Sequence, residues 1–535
     1  MAVEMLTDSQ LFEAKQGGDI TFMDMVEEAP ALGESHIQRL FAGAAVLVTG
    51  GTGFLGKLLV EKLLRSCPDL KKIFLLARPK KNKDISKRLQ EQFDDVLYDR
   101  LRKECPDFIR KISVVEGDIG QPDLGMCPED RAKIMNEVEV IFHGAATVRF
   151  DEPLRAAVQI NVRGTRDMLR LARACHKLKA FVHISTAYSN CVQTEIGEKF
   201  YASPLPGDKL IDLVDTLDEQ VVNNITPGLL GAFPNTYAYT KAVAENIVLE
   251  YSKGLPVALF RPSIVIGTSK EPVSGWIDNV YGPTGVVVGA AVGLLHVLNC
   301  NPKVLADLVP GDMVVAGVVA AAWRTARDSP HNHEDAPPAD LPPPVYNYVS
   351  SEQKPLTWEK FMSYNEVYGL EVPSVQAIYY YLFMLTPNKT LYWIYCLLMH
   401  WLPAYIVDAV AVIVGKKPML RKTYAKITKF SEVIGYFATR EWKFDNRNTQ
   451  QLFLEMSAAD QKLFDFDMSR VNWNDYFYNY IRGIRVYLLK DPVDTVPAGL
   501  RKLRRLRRLH YACCAVLSLL LLRLLWAVAT LLVGL

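Results

Sequence analysis

The stretch that most constrains this chain is Ala44 to Gly56, AAVLVTGGTGFLG. An apolar run, Ala44 to Val48, reads as a short buried strand. It breaks into a turn, Thr49, Gly50, Gly51, Thr52 and Gly53, and resumes as Phe54, Leu55, Gly56 and the helical KLLVEKLLRS. Strand, glycine turn and helix in that order make a cradle for a nucleotide's phosphates. Gly50 permits the tight turn, Gly53 lets backbone N–H groups approach a pyrophosphate, and Gly56 lets helix and sheet pack closely. The positive end of the helix dipole then faces the anion. Thr49 through Gly56 are therefore assigned to cofactor binding. Their spacing is TGxxGxxG, not the GxGxxG of the commonest dehydrogenases.

Apolar runs recur at Lys72–Ala77, Ile112–Glu116, Val138–His143, Ala180–Ser185 and Pro256–Arg261, with helical stretches between them. Continuous Val/Ile/Leu runs suit strands buried on both faces. The expected fold is α/β, a Rossmann-like doubly wound parallel sheet with its ligand at the carboxyl ends of the strands. The 535 residues leave room for a second domain. Lys+Arg 61 nearly balances Asp+Glu 59, so nothing points to nucleic acid. The nine cysteines show no CxxC pair and no zinc spacing. They read as reduced thiols of a cytosol-facing protein, and no metal is expected. Residues 1–43 are acidic and polar at first, without a basic region leading into an apolar run, and read as a loosely ordered leader rather than a signal peptide.

The carboxyl ends of the strands carry the polar candidates. Arg78 follows the second strand, where an acid would bind a ribose hydroxyl and a base suits a 2′-phosphate, so NADPH is favoured. Asp118 and Ile119 follow the third strand and are expected beside the adenine. Ala145 and Ala146 follow the fourth, small enough for the backbone to lie against the cofactor. Asn161 stands at the expected start of the next helix, where an N-cap is the plain alternative to cofactor binding. Pro262 and Ser263 follow the sixth strand and complete the cofactor set.

The fifth strand ends in His183-Ile184-Ser185-Thr186. Further on, Tyr237 and Lys241 stand four apart at the start of a helix and share one face. A YxxxK pair alone is weak evidence; behind this glycine turn, and after a strand ending in Ser-Thr, it is strong. A phenol near pKa 10 is a poor acid at neutral pH, and a neighbouring ammonium pulls that value down. Thr186, with Ser185 as second candidate, is expected to hydrogen-bond the substrate oxygen, while Tyr237 supplies the proton and a nicotinamide the hydride. Tyr237 and Lys241 would also contact the cofactor. Tyr239 is the competing tyrosine, but it points elsewhere on the helix.

Cys191 to Pro234 has little strand character and is expected as a lid or acyl-channel wall. Residues 44–328 make the reductase domain, 329–344 a Pro-rich loop, 345–491 an aromatic-rich second domain and 492–510 a basic juxtamembrane segment. Val345–Val349 is a possible last strand of the sheet. His331 and His333 on the loop are not expected to bind a metal. Ala377–Val414 is apolar but interrupted by Pro387, Asn388, Lys389, His400, Pro403 and Asp408, which suits a membrane-dipping or acyl-lining element better than a spanning helix. Tyr511 to Leu535 is long enough to cross a core of about 30 Å. Arg523 within it costs about 2.5–3.5 kcal/mol, which the leucines offset. The cluster Arg501–Arg508 keeps the preceding domain on the cytoplasmic side. A single-pass tail anchor in the endoplasmic reticulum or peroxisomal membrane is expected.

The glycine spacing and YxxxK resemble the short-chain dehydrogenase/reductase superfamily. The set TGGTGFLG, FLLARP, HGAATVRFDEPL, NVRGT, HISTAY, YAYTK, RPSIV and GWIDNVYGPTG more closely resembles its alcohol-forming fatty acyl-CoA reductases. The later WKFDNRNTQQL and LFDFDMSRVNWNDYFYNYIRGIRVYLLKD look like their C-terminal domain. The resemblance covers Ala44 to Asp491. It implies NADPH-dependent reduction of a long-chain fatty acyl-CoA to a primary alcohol through a bound aldehyde, with Tyr237 and Lys241 as the catalytic pair and Thr186 as hydroxyl partner. Two other readings compete: a hydroxysteroid dehydrogenase-like membrane enzyme of the same superfamily, and a noncatalytic NADP(H)-binding scaffold. Acyl preference and oligomeric state are left open by the sequence.

Overall fold

The computed structural model describes residues 33–78, 84–329 and 341–533. Most of the expected leader, the lysines after Arg78 and the histidines of the Pro-rich loop lie outside the described residues.

The core is a parallel sheet of seven strands: β1 (Ala45–Thr49), β2 (Lys72–Ala77), β3 (Ile112–Glu116), β4 (Val138–His143), β5 (Ala180–Ile184), β7 (Val257–Pro262) and β11 (Val345–Tyr348). Their spatial order is β11-β7-β5-β4-β1-β2-β3. The order reverses between β1 and β4, and the crevice at that reversal is where a doubly wound sheet takes its ligand. Strand residues alternate between two apolar layers. Val46, Val48, Leu75 and Phe142 face one layer with α1 (Phe54–Ser66). Leu47, Phe74 and Ile141 face the other with the helices Gly164–Ala174 and Thr236–Tyr251, the latter labelled α2. Burial on both sides explains the unbroken apolar runs.

The C-terminal region does not stand apart from this sheet. β11 pairs with β7 in register Val345 to Leu259. Two short parallel pairs add further ties, β6 (Glu195–Ile196) with β13 (Lys443–Phe444) and β9 (Val297–Asn299) with β12 (Met384–Thr386), while β8 (Ile264–Ile266) pairs with β10 (Leu308–Pro310) inside the first region. The insertion expected as a lid sends its helix Gly207–Thr216 into the helical layer beside α2, where Leu210, Ile211 and Val214 are buried. The small-residue run GVVVGAAVGLL forms the helix Pro283–Ala291, with Val286, Val287 and Ala290 in the core. In the motif GWIDNVYGPTG, Trp276 is buried and stacks on Phe54 at 5.4 Å, wedging the loop against α1.

One helix start differs from the sequence expectation. The helical path begins at Leu154 and passes through a π-helical turn, Val158–Arg163, before Gly164. Asn161 lies inside that turn and is not an N-cap. The chain ends in a helix, Val496–Val533, whose apolar part is exposed. It and the helix Lys389–Ile413 are each long and apolar enough to cross a membrane.

Candidate active site

The glycine turn is built for close approach. Gly50 has φ +76°, and a Cβ there would lie 2.9 Å from Ala145 N. A Cβ on Gly56 would lie 2.1 Å from Gly50 O, so neither position accepts a side chain. Gly53 precedes α1 in extended conformation and offers no side-chain cap, which leaves the first N–H groups of the helix pointing at the crevice. Ser263 Oγ, at the carboxyl end of β7, is buried without a hydrogen-bond partner among the described residues. A turn that only glycine fits, open N–H groups and an unpaired hydroxyl suit a dinucleotide.

Several of the other expected cofactor residues are wired to one another. Thr49 Oγ1 accepts from Ala145 N at 3.2 Å and lies 2.8 Å from His143 Nδ1. The other ring nitrogen of His143 lies 3.1 Å from Thr165 Oγ1, whose hydroxyl donates to Asn161 O at 2.7 Å. Burial pushes His143 down to about 3, with the Lys241 charge adding to the effect, so it is neutral. Asn161 Oδ1 accepts from Thr147 N at 2.9 Å, and its amide donates to Thr240 Oγ1 at 3.0 Å. It thereby ties the loop after Ala146 to α2. Asp118 accepts from Gly120 N at 3.0 Å, and Ile119 packs where a Cβ on Gly164 would sit. Arg78 is exposed, with its carbonyl accepting from Arg88 Nη1 at 2.7 Å.

Asn235 starts α2 by accepting from Ala238 N at 2.8 Å, which sets Tyr237 and Lys241 on the face toward β5. The Thr186 hydroxyl stands beside the Tyr237 phenol. Burial pushes the phenol up to about 12, and the neighbouring hydroxyl opposes the rise. Lys241 Nζ donates to Ile184 O at 2.8 Å, and burial lowers its pKa to about 8 against the opposing pull of Glu245. Thr186 also accepts from Tyr188 N at 3.2 Å. The rings of Phe150 and Tyr237 are 5.6 Å apart, and Phe437 stacks on Phe150 at 5.9 Å. Phe437 comes from the helix Leu420–Ala438, so the C-terminal region packs on the ring that lies against the tyrosine. Tyr239 is buried against Phe233, away from this group.

Ser185 sits beside Thr186 but is engaged elsewhere. Its hydroxyl donates to Glu245 Oε1 at 2.6 Å. Glu245 is one turn after Lys241 and also accepts from Asn190 Nδ2 at 3.1 Å and from Arg261 at 2.9 and 2.6 Å. Arg261 in turn donates to the carbonyls of Gly197 and Lys199. Sequence reasoning missed this network and the two phenylalanines. Glu245 alone left a signal, an acid four residues after the lysine.

The comparisons agree with this architecture. Two family models, both described as male sterility protein, match: the NAD-binding one over residues 48–318 and the Sterile one over 399–491. Fatty acyl-CoA reductase wat of Drosophila melanogaster is 40% identical over 483 residues, covering 90% of this chain and 91% of the relative. Fatty acyl-CoA reductase 2 of Homo sapiens is 37% identical over 502 residues, covering 92% and 94%. Among solved structures, the terminal R domain of the myxalamid PKS-NRPS pathway aligns with TM-score 0.54 at 21% identity, covering 84% of this chain and 93% of that one. The reductase domain of a Mycobacterium tuberculosis nonribosomal peptide synthetase aligns at 0.52 and 18%, covering 85% and 96%. These two show the fold alone. On the strength of the sequence relatives, the chain belongs to the fatty acyl-CoA reductases, oxidoreductases with a nicotinamide-binding domain.

Proposed function

We propose that this enzyme reduces a long-chain fatty acyl-CoA to a primary alcohol with two equivalents of NADPH, releasing CoA and passing through a bound aldehyde. The observation that carries the reading is the placement of Lys241, which shares a helix face with Tyr237 and donates to the carbonyl of Ile184, two residues before Thr186 and in the wall of the same crevice as Gly50 and Gly56. The turn Thr49–Gly56 holds the pyrophosphate, and Arg78 meets the 2′-phosphate. When bound, the nicotinamide supplies hydride to the substrate carbonyl carbon. Thr186 and Tyr237 donate hydrogen bonds to the oxygen on which charge develops. In the first reduction the thioester becomes a hemithioacetal, which expels CoA as its thiol. In the second, Tyr237 gives its proton to the aldehyde oxygen and the alcohol leaves. Lys241 holds the ribose and favours the phenolate left behind. Phe150 and Phe437 keep water from the reacting carbon.

The helix Val496–Val533 is the anchor in this reading. Its basic start stays in the cytosol with the catalytic domain, and its apolar end enters the endoplasmic reticulum or peroxisomal membrane. Gas chromatography of lipids from yeast expressing the chain tests the reaction. Primary alcohols of long chain should appear, and Tyr237→Phe should abolish them. Product confined to aldehyde would remove the second step, and oxidation of NADPH by a ketosteroid but not by palmitoyl-CoA would favour the hydroxysteroid-type reading.

A further inference from the structure

The segment after β12 carries a surface that the chemistry above does not use. The helix Lys389–Cys396, a π-helical turn Leu397–Trp401 and the helix Leu402–Ile413 run as one helix of 25 residues. Its buried residues are Tyr392, Cys396, His400, Ala404 and Asp408, a single stripe at i, i+4 spacing. This stripe docks on the enzyme body. His400 Nε2 accepts from His296 N at 3.0 Å, and its ring stacks on Tyr424 at 4.8 Å. Asp408 accepts from the backbone N–H groups of Met419, Leu420 and Arg421 at 2.9–3.0 Å and so caps the helix Leu420–Ala438.

Most of the remaining surface of this helix is apolar and faces outward. Leu398 is 53% exposed, Ile406 57%, Val410 53% and Ile413 83%. A water-facing helix hides its apolar side and exposes its charges. Here the order is reversed: His400 and Asp408, the only histidine or charged residues between Lys389 and Lys416, both turn inward. An apolar face of this size marks an interaction surface.

Charge and position identify what covers it. At its C-terminal end stand exposed Lys416, Lys417, Arg421, Lys422 and Lys426, which complement anionic headgroups. Trp393 and Tyr405 project from the exposed side, as aromatic residues do at a membrane boundary. The segment that leads into this helix touches the tail. Tyr379 Oη lies 2.9 Å from His510 Nδ1, and Tyr380 stacks on His510 at 5.4 Å, where the apolar part of the last helix begins. A helix docked from Tyr392 to Asp408 cannot cross a bilayer without drawing the enzyme body in with it. We propose that its outer face lies in the plane of an anionic membrane, buried at the headgroup–acyl boundary of the leaflet that the tail enters. The proposal rests on the tail-anchor reading above. The helix Leu420–Ala438 then runs from this surface to Phe437, which stacks on the Phe150 ring beside Tyr237.

Chemical accessibility in the full-length protein tests this. Variants Ile406→Cys, Lys422→Cys and Leu520→Cys are placed in vesicles of phosphatidylcholine and phosphatidylserine. A charged, membrane-impermeant maleimide is added, and labelling at each position is read by peptide mass. Ile406→Cys should label about tenfold or more slowly than Lys422→Cys, and Val410→Cys, on the same face, should repeat the result. Equal rates at Ile406→Cys and Lys422→Cys, with Leu520→Cys protected, overturn the proposal and leave the anchor standing. A reactive Leu520→Cys beside a protected Ile406→Cys overturns the anchor and keeps the leaflet-bound face. Reactivity at both overturns both. Protection of Ile406→Cys that disappears when protein is diluted at constant lipid identifies a second copy as the occupant and overturns the proposal.

Discussion

The hydroxyl of Ser185 donates to Glu245 Oε1 at 2.6 Å, which takes it away from the substrate and leaves Thr186 alone beside Tyr237. The two neighbouring hydroxyls should therefore fail differently. Thr186→Val removes a donor at the reacting oxygen, and kcat should fall about 10²-fold with little change in melting temperature. Ser185→Ala leaves a buried carboxylate short of one donor. It should lower stability by about 1 kcal/mol and leave kcat within a few-fold. Steady-state kinetics and thermal unfolding on both variants check this. A larger kcat loss in Ser185→Ala would return that hydroxyl to the catalytic group.

Glu245 and Arg261 form an ion pair whose side chains are 4% and 0% exposed. Removing one partner strands the other charge, so Glu245→Gln and Arg261→Met should each cost about 3–5 kcal/mol. Urea unfolding measures the loss. The double variant should recover part of it, because no bare charge then remains buried.

The sheet and the glycine turn were legible because both rest on local pattern. Unbroken apolar runs mark strands covered on two faces, and Gly50 and Gly56 are glycines for reasons confined to the turn. Tyr237 and Lys241 were legible through helical spacing. The rest depended on long-range contact. Arg261 reaches Glu245 across the helix–sheet boundary, and Phe437 arrives on Phe150 from a distant helix. Asn161 was misplaced because the helix starts at Leu154 and bulges through a π-helical turn, which apolar spacing does not reveal. His400 and Asp408 interrupted the apolar segment on paper. In the fold they are its inward stripe, since hydropathy along a chain carries no side-chain direction.

Arg78 tests the choice of cofactor. Its carbonyl is held by Arg88, and its exposed side chain follows the carboxyl end of β2, where a guanidinium would meet a 2′-phosphate as a paired donor. Arg78→Ala should raise the KM for NADPH by about tenfold or more and leave that for NADH nearly unchanged. Initial rates with both cofactors decide it, and equal effects would remove Arg78 from the site.

Tyr237→Phe keeps the ring contact with Phe150 and removes only the proton. The variant should fold and bind NADPH, while kcat falls by about 10²–10⁴. Reduction of added aldehyde should suffer most, because an alkoxide has no leaving group to expel. Tyr239→Phe, buried away from the site, should change little. Near-normal alcohol output from Tyr237→Phe would sink the assignment.

Lys241 sets the alkaline limit. Burial brings its folded pKa down from 10.5 to about 8. In the unfolded chain the ammonium persists to the higher value. Below pH 8 the folded state therefore carries the full penalty of a buried charge. Between pH 8 and 10.5 the unfolded state holds the extra proton, so stability from this group rises with pH across that window. In the proposed mechanism activity runs the other way, because loss of the ammonium would remove a charge that favours phenolate. The logarithm of kcat/KM for acyl-CoA should bend downward near pH 8 in the free enzyme. Lys241→Arg, if it supports turnover, should keep its charge and lose that limb. Glu245 raises the lysine's pKa, so Glu245→Gln should move the limb to lower pH. An unchanged limb in both variants would mean that another group titrates there.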